Sequence, residues 1–303
     1  VKELLDNSSK VRLFTRPRRF GKTLALSMLR YFFEKEFTAE GEAIDNSGLF
    51  KGLKIFGAGE SYLKHMGQYP VISLSLKSAK QPDFEMAYDA VVNEISKEFV
   101  RHNYVIDGDW LLTEEKELFI RIREKKASRI DYAIALEFLT RCLKKVYQKN
   151  VIILIDEYDV PLENAWFRGF YGQMTDFIRS LFESALKSNF NLEFAVVTGC
   201  LRISKESIFT GLNNLEIVSV LRSRYSEYFG FTVPEVVSLL HFYHIEEKTE
   251  EVKRWYDGYL FGDTEVYNPW SMVNYVNEAV SEVNSMPRPY WANTSSNSII
   301  RYD

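Results

Sequence analysis

The first residues of this chain whose types and spacing suit chemistry are Gly21, Lys22 and Thr23. They follow a short β-prone run at residues 11–15 and precede apolar residues that recur at helical spacing. At such a strand-to-helix turn, backbone N–H groups of the helix N-terminus can bind phosphate oxygens, a lysine can neutralise their charge and a threonine can ligate Mg²⁺. The spacing is that of the end of a phosphate loop, G-x-x-x-x-G-K-[ST], except that Arg16 stands at the first glycine.

A pair of acids, Asp156 and Glu157, follows a continuous apolar run at residues 151–155. Such a run is typical of a strand buried on both faces of a parallel sheet. At its carboxyl end Asp156 can hold Mg²⁺ opposite Thr23, and Glu157 can polarise an attacking water as a general base. Asp159 either orients Glu157 or caps the next helix. Two carboxylates also commonly mark a strand end, but their occurrence together with the loop favours a P-loop NTPase.

A third strand, at residues 192–198, ends in Thr198. In the additional-strand class of P-loop NTPases, the strand between the loop strand and the acidic strand carries a polar residue that senses the γ-phosphate, and Thr198 has this position. Arg202 follows and can place a guanidinium on the developing phosphoryl charge; the alternative is a surface arginine that caps the next helix. Arg222 and Arg224 are weaker candidates for a finger offered to a neighbouring subunit.

The elements that must position these residues alternate between strands and helices, which predicts an α/β fold with a parallel sheet sandwiched by helices. The predicted strands cover residues 11–15, 70–76, 150–155 and 192–198, and the predicted helices cover 24–33, 83–104, 131–148 and 174–186.

From about Phe229 the pattern changes to short helices separated by Gly and Pro, which predicts domains at residues 1–229 and 230–303. The second domain is expected to be helical, with helices at 233–240, 250–256 and 269–280. Its aromatic residues could stack bases, but the core of a small domain is the favoured interpretation. They are Trp255, Tyr256, Tyr259, Phe261, Tyr267 and Trp270.

The composition of the chain excludes several classes of protein. The chain has 303 residues, of which 46% are hydrophobic and 26% charged, so wholesale disorder is excluded. The formal net charge of −4 argues against a basic nucleic-acid-binding surface, although a local patch stays possible. Two cysteines, Cys142 and Cys200, cannot form a disulfide framework, and no apolar run suits a membrane helix. We therefore expect a cytoplasmic protein without a membrane segment, and the start without Met reads as the middle of a longer chain.

Two polar clusters have competing interpretations. Arg16, Arg18 and Arg19 could contact nucleic acid, but the negative net charge favours positive potential for a triphosphate or pairing with acids of the second domain. His241 and His244 have a spacing compatible with two metal ligands. No Cys or carboxylate at ligand spacing completes that site, so two ordinary histidines at a helix end are favoured.

Six segments together resemble the predicted AAA-ATPase-like family, which stands near the STAND and archaeal-type ATPases. These segments are residues 15–24, 155–159, 198–214, 227–232, 255–259 and 267–271. In that family an arginine replaces the first glycine of the loop, so the resemblance makes Arg16 a family trait. It implies ATP as the nucleotide and a small helical, winged-helix-like segment after the NTPase core. It also implies a PD-(D/E)xK nuclease-like domain in cis. No acid–acid–lysine arrangement follows Tyr267, so this domain is expected beyond Asp303, and the second domain is expected to be truncated at its C-terminal end.

The expected cofactors are ATP and Mg²⁺, with metal ligands Thr23 and Asp156. The predicted catalytic residues are Lys22, Glu157, Thr198 and Arg202. The predicted nucleotide-binding residues are Arg16, Pro17, Arg18, Arg19, Phe20, Gly21, Lys22, Thr23 and Leu24.

These residues predict Mg²⁺-dependent ATP hydrolysis that switches the position of an appended domain. The alternative is a regulatory or partner-binding module that holds ATP or ADP without hydrolysing it. A P-loop kinase is a weaker third hypothesis, because no lid-like run of arginines is evident and a Glu directly after the Asp favours water as acceptor.

Overall fold

The apolar runs of the sequence form the strands of the larger sheet. The computed structural model describes residues 1–38, 41–201, 208–209, 212, 214–281 and 286–291. Within them the strands are β1 Val11–Thr15, β2 Val71–Ser75, β3 Val151–Asp156, β4 Leu192–Gly199, β5 Leu215–Val218, β6 Phe231–Thr232, β7 Tyr259–Phe261 and β8 Thr264–Tyr267. Every residue of β1 and β3 is buried, as expected for strands covered on both faces.

The larger sheet has five strands in the order β2-β3-β4-β1-β5. The pairings of β2 with β3, β3 with β4 and β4 with β1 are parallel. An additional strand, β4, therefore lies between β1 and the acidic strand β3, which confirms the predicted position of residues 192–198. Because parallel strands end at the same edge of a sheet, Thr15, Asp156 and Gly199 end their strands at one edge.

Helices lie before, between and after the strands along the chain. In the described ranges they are α1 Lys2–Asp6, α2 Lys22–Phe33, α3 Glu60–Leu63, α4 Phe84–Arg101, α5 Thr113–Arg123, α6 Arg129–Ala133, α7 Ala135–Tyr147, α8 Val160–Arg168, α9 Tyr171–Leu186, α10 Val233–Phe242, α11 Thr249–Tyr256 and α12 Pro269–Ser281. Apolar residues of α4, α7 and α9 join those of the strands in one core. Within the ranges described, none of the helices is both long and apolar enough to cross a bilayer.

Two parts of the predicted element pattern differ from the structure. The single helix expected at 131–148 is two helices, because the backbone at Ile134 leaves the helical region with φ −110° and ψ 4°. Helices α1, α5 and α8 and strand β5 were not predicted. Helix α5 is mostly charged and buries only Phe119 and Ile122, so it lacks an apolar face wide enough to show in the sequence.

The chain divides into two compact units. The first contains residues 1–15 and 26–217, and the second contains residues 16–25 and 218–303. The packing boundary thus falls at 217/218, and the domain assignment 1–229 and 230–303 stays a prediction. The described part of 218–303 is called the appended segment below.

Within the appended segment, β6, β8 and β7 form a three-stranded antiparallel sheet in that order. The three predicted helices are confirmed as α10, α11 and α12. Two large aromatics of the predicted core, Tyr256 and Tyr267, pack in its apolar cluster, whereas Trp255 and Trp270 are 48% and 40% exposed. The hairpin β7–β8 was not predicted because its strands are only three and four residues long.

Candidate functional site

The loop between β1 and α2 has the backbone that a phosphate cradle requires. Gly21 has φ +75° and Arg19 has φ +70°, both in the left-handed region. A Cβ built on Gly21 would meet no atom within 4 Å, so the glycine serves the turn and leaves open space beside the peptide. That open space fits the close approach of a phosphate oxygen to the loop backbone.

Helix α2 begins at Lys22, directly after the loop. The N–H of Ala25 donates to the carbonyl oxygen of Gly21 at 2.9 Å and closes the first helical turn. The first turn contains no acidic residue, so no carboxylate there offsets the positive end of the helix dipole. The helix N-terminus therefore suits an anion.

The side chains at the start of α2 differ in exposure. Lys22 is only 6% exposed, and its Nζ donates to the carbonyl oxygens of Arg16 at 3.0 Å and Pro17 at 2.9 Å. Its ammonium therefore reaches back over the loop. Thr23 and Leu24 are exposed, which leaves the Thr23 hydroxyl at the protein surface.

Asp156 is held at the end of β3 by the neighbouring strand. The register pairs Ile155 with Val197, so Asp156 lies beside Thr198 of β4. Its Oδ1 accepts from the Thr198 hydroxyl at 2.5 Å and from the backbone N–H of Glu157 at 3.0 Å. Asp156 is 6% exposed and Thr198 is fully buried, so the carboxylate is oriented before any ligand arrives. A carboxylate oxygen of this kind is a hard ligand that Mg²⁺ prefers.

Glu157 has a strained backbone. Its φ of +52° is in the left-handed region, which costs a non-glycine residue about 1–2 kcal/mol. Two hydrogen bonds hold the turn: the N–H of Tyr158 donates to Thr198 O at 3.1 Å, and the N–H of Val160 donates to Glu157 O at 3.2 Å. The turn held by these hydrogen bonds therefore sets the direction in which the half-buried Glu157 side chain leaves the end of β3.

Asp159 stands at the predicted cap position of α8 without a side-chain cap hydrogen bond, and it ties the acidic strand end to the segment after β4. Its Oδ2 accepts from the backbone N–H groups of Cys200 at 2.9 Å and Leu201 at 2.7 Å. The hydroxyl of Tyr158 donates to Leu201 O at 2.7 Å. Gly199 permits this approach, because a Cβ there would lie 2.5 Å from both Asp159 Oδ1 and the Tyr158 ring. The acid at the third position after Asp156 and the glycine after β4 are the sequence signals that point to this contact.

The remaining predicted residues have diverse positions. Arg16 is fully buried and Arg19 is exposed, while Arg202 lies outside the described residues. Arg222 and Arg224 are both exposed, and the Arg224 guanidinium lies over the ring of its neighbour Tyr225.

The predicted site residues thus fall into two groups. Residues 16–24 belong to the second compact unit, whereas Asp156, Glu157 and Thr198 belong to the first. In the described ranges no three His, Cys, Asp or Glu side chains are grouped as a metal site. For the predicted histidine pair, His241 forms a 3.8 Å contact with Glu246 just beyond the helix end.

Comparison with known proteins agrees with this arrangement. The chain is 27% identical over 288 residues to an uncharacterized protein in the vnfD 5′ region of Azotobacter chroococcum mcd 1. The aligned region covers 93% of this chain and 47% of that protein, so the chain spans about half the length of this relative. The family model described as Predicted AAA-ATPase matches residues 1–209, which include the loop, the acidic strand end and Thr198. The chain therefore belongs to the predicted AAA-ATPase family.

Proposed function

We propose that this chain binds ATP and hydrolyses it with Mg²⁺, and that the cycle switches the position of the appended segment. The observation that carries the proposal is the order of β1, β4 and β3 in the sheet. The phosphate loop, Thr198 and the Asp156–Glu157 pair each end or follow one of these three adjacent parallel strands. This succession supports phosphoanhydride chemistry at the carboxyl edge of the sheet.

In this proposal the loop binds the phosphates. Backbone N–H groups between Arg16 and Leu24 donate to phosphate oxygens, and the open space beside Gly21 admits them. Lys22 exchanges its two carbonyl partners for the β- and γ-phosphates. The Thr23 hydroxyl and the Asp156 carboxylate would hold Mg²⁺, which would neutralise charge on the phosphates.

Glu157 is the proposed general base. Its carboxylate takes a proton from the water that attacks the γ-phosphorus, while the turn at φ +52° keeps it at the strand end. Thr198 holds Asp156 through its hydroxyl and senses the γ-phosphate. Arg202 is proposed to stabilise the charge of the transferring phosphoryl group.

The appended segment is proposed to have a winged-helix-like arrangement. The element order β6, α10, α11, β7, β8 supports it, because two helices follow the first strand and a hairpin closes the sheet. The sheet order β6-β8-β7 supports it as well.

The alternative function is a module that holds a nucleotide without turnover. The buried Arg16 favours it, because a loop anchored through this side chain is expected to rearrange slowly. A single-turnover measurement separates the two functions. Phosphate release within minutes supports hydrolysis, whereas tight binding with no release over hours supports the static module.

The binding step is tested with Lys22→Ala, and Lys54→Ala, which removes an exposed lysine, is the matched control. Charge-assisted hydrogen bonds contribute about 1.5–3 kcal/mol each. We expect Lys22→Ala to weaken ATP binding by about ten- to a hundredfold in calorimetry, with no change in Lys54→Ala. Equal affinity in parent and Lys22→Ala would remove this loop from the nucleotide site.

A further inference from the structure

Arg16 stands where the phosphate-loop pattern has its first glycine, and its side chain is fully buried. Its guanidinium forks between two backbone carbonyl groups of the appended segment. One terminal nitrogen donates to Val218 O at 2.8 Å and the other to Tyr225 O at 3.4 Å. The hydrogen bonds of Arg16 thus join the loop to residues more than two hundred positions later in the chain.

Aromatic rings of the same segment surround this guanidinium. Its central carbon lies 5.1 Å from the ring centroid of Phe229 and 5.0 Å from that of Phe261, within the range of cation–π attraction. Burial lowers the pKa of Arg16 to about 10, so the group stays charged at neutral pH. The charge is therefore held by carbonyl dipoles and ring faces.

Phe20 is a second anchor at the other end of the loop. It is 1% exposed, and its ring packs edge-on against Tyr259 at 4.8 Å and at a tilt of 46° against Phe261 at 5.1 Å between centroids. Gly230, with φ +100°, makes room for it, because a Cβ there would lie 3.2 Å from the Phe20 ring and 3.1 Å from Tyr267 O. The pocket that receives Phe20 thus depends on a glycine.

Two lighter contacts lie between the anchors. The Arg19 guanidinium lies 4.3 Å from the ring centroid of Trp270, at the start of α12. The side-chain amide of Asn268 donates to Arg18 O at 3.5 Å. Arg18 and Arg19, which lie between the two anchors, therefore also contact the appended segment.

We propose that Arg16 and Phe20 are positioning residues that fasten the phosphate loop to the appended segment, so that phosphate binding at the loop is transmitted to the β7–β8 hairpin and to α12. The coupling rests on the proposed function, whereas the anchoring does not. Any shift of loop peptides toward a phosphate must carry Arg16 and Phe20 with it or break their contacts. Either response changes the stability of the β7–β8 hairpin. Coupling requires such a change in free energy at one site when a ligand binds at the other.

The anchoring is tested without nucleotide by backbone hydrogen exchange of Arg16→Gly, with Arg18→Gly as the control from the same loop. We expect exchange to quicken by about tenfold or more in residues 218–229 and 259–267 of Arg16→Gly and not in Arg18→Gly. Arg16→Lys should restore protection only in part, because an ammonium lacks the planar fork. Parent-like exchange in Arg16→Gly, or full rescue by lysine, would overturn the anchor. If Arg16→Gly does not fold, the milder Phe20→Leu decides by the same measurement.

The coupling is tested with a non-hydrolysable ATP analogue and Mg²⁺. Trp270 fluorescence is obtained as the difference between each protein and its Trp270→Phe partner, because Trp270 lies under Arg19. We expect the analogue to change this signal in the parent, and the change to be lost in Arg16→Gly at saturating analogue. Binding without a signal in the parent, or an undiminished signal in Arg16→Gly, refutes the coupling. Absence of binding in the parent instead refutes the proposed function, and the exchange experiment still judges the anchor.

Discussion

At the residue scale, Oδ2 of Asp159 accepts two hydrogen bonds, from the backbone N–H groups of Cys200 and Leu201, which directly precede Arg202 in the chain. Bonds to an ionised acceptor are about twice as strong as neutral ones. The carboxylate therefore fixes the peptide groups of Cys200 and Leu201 relative to Asp156. This makes Asp159 a positioning residue for the proposed hydrolysis.

We predict that Asp159→Asn lowers kcat for ATP about tenfold and leaves KM nearly unchanged, because the isosteric amide keeps the shape and loses the charge. Steady-state phosphate release measures both constants. Asp176→Asn, at an exposed aspartate of α9, is the control. An unchanged kcat, or a loss confined to KM, would contradict the positioning role.

We predict that Glu157→Gln abolishes turnover while ATP still binds, since the amide cannot accept the proton of the attacking water. General bases contribute about 10²–10⁴-fold to rate, and the loss should fall in this range. Phosphate release and calorimetric binding are compared with those of Glu183→Gln, a half-buried glutamate of α9. Parent-like turnover in Glu157→Gln would take the base role away from this residue.

The residue types of the site could be predicted from the sequence, but their contacts could not. Motif spacing identified Lys22, Asp156 and Glu157, because strand and helix patterns are local. The acid and the glycine that permit the Asp159 contact with Cys200 are visible in the sequence, but their meeting depends on strand pairing across about forty residues. The burial of Arg16 depends on a segment still further away.

At the element scale, the end of α4 is fastened to the start of β2 by a buried histidine. His102 Nε2 donates to Val71 O at 3.1 Å, and in the neutral ring Nδ1 accepts from the Tyr104 hydroxyl at 2.7 Å. Burial, and secondarily the neighbouring Arg101, lowers the pKa of His102 well below its usual value. The nearby Glu98 carboxylate is itself bound by Arg101.

This histidine predicts a loss of stability in mild acid. Below about pH 6.5 the unfolded chain protonates the histidine while the folded chain keeps it neutral, so the free energy of unfolding falls as pH falls. The slope is at most about 1.4 kcal/mol per pH unit for one group. Urea unfolding at pH 7.5 and 5.5 should show a larger loss for the parent than for His102→Gln. His241→Gln, at an exposed histidine, should behave like the parent, and an equal loss in all three would contradict the assignment.

The elements predicted from the sequence are those with a strong period or a continuous apolar run. β3 and α7 are of this kind, since one is wholly buried and the other buries one face. α5 and the β7–β8 hairpin were missed because tertiary packing, more than intrinsic preference, stabilises short or highly charged segments.

At the scale of the whole molecule, the two cysteines differ in how deeply they are buried. Cys142 of α7 is fully buried, and burial raises the pKa of its thiol to about 12, whereas Cys200 is half-buried directly after β4. The thiolate is the reactive form, so Cys142 can react at pH 8 only when the core opens.

We predict that an alkylating reagent at pH 8 labels Cys200 first and labels Cys142 only at the rate of global unfolding. Mass spectrometry of the two peptides measures both rates, and labelling in urea, where both should react alike, is the control. Equal native rates would show that the core around α7 opens without unfolding.

The anchors of the phosphate loop bear on where this chain can be divided. The family match ends at residue 209, whereas the residues that bury Arg16 and Phe20 begin at Val218. A fragment that ends at residue 209 would keep the loop but lose the residues that bury it. The side chains of Phe20 and Arg16 would then be exposed to water. Exposed apolar surface of this kind promotes self-association. A fragment that ends at residue 209 is therefore expected to aggregate, and a shortened form that stays dispersed should include the β7–β8 hairpin.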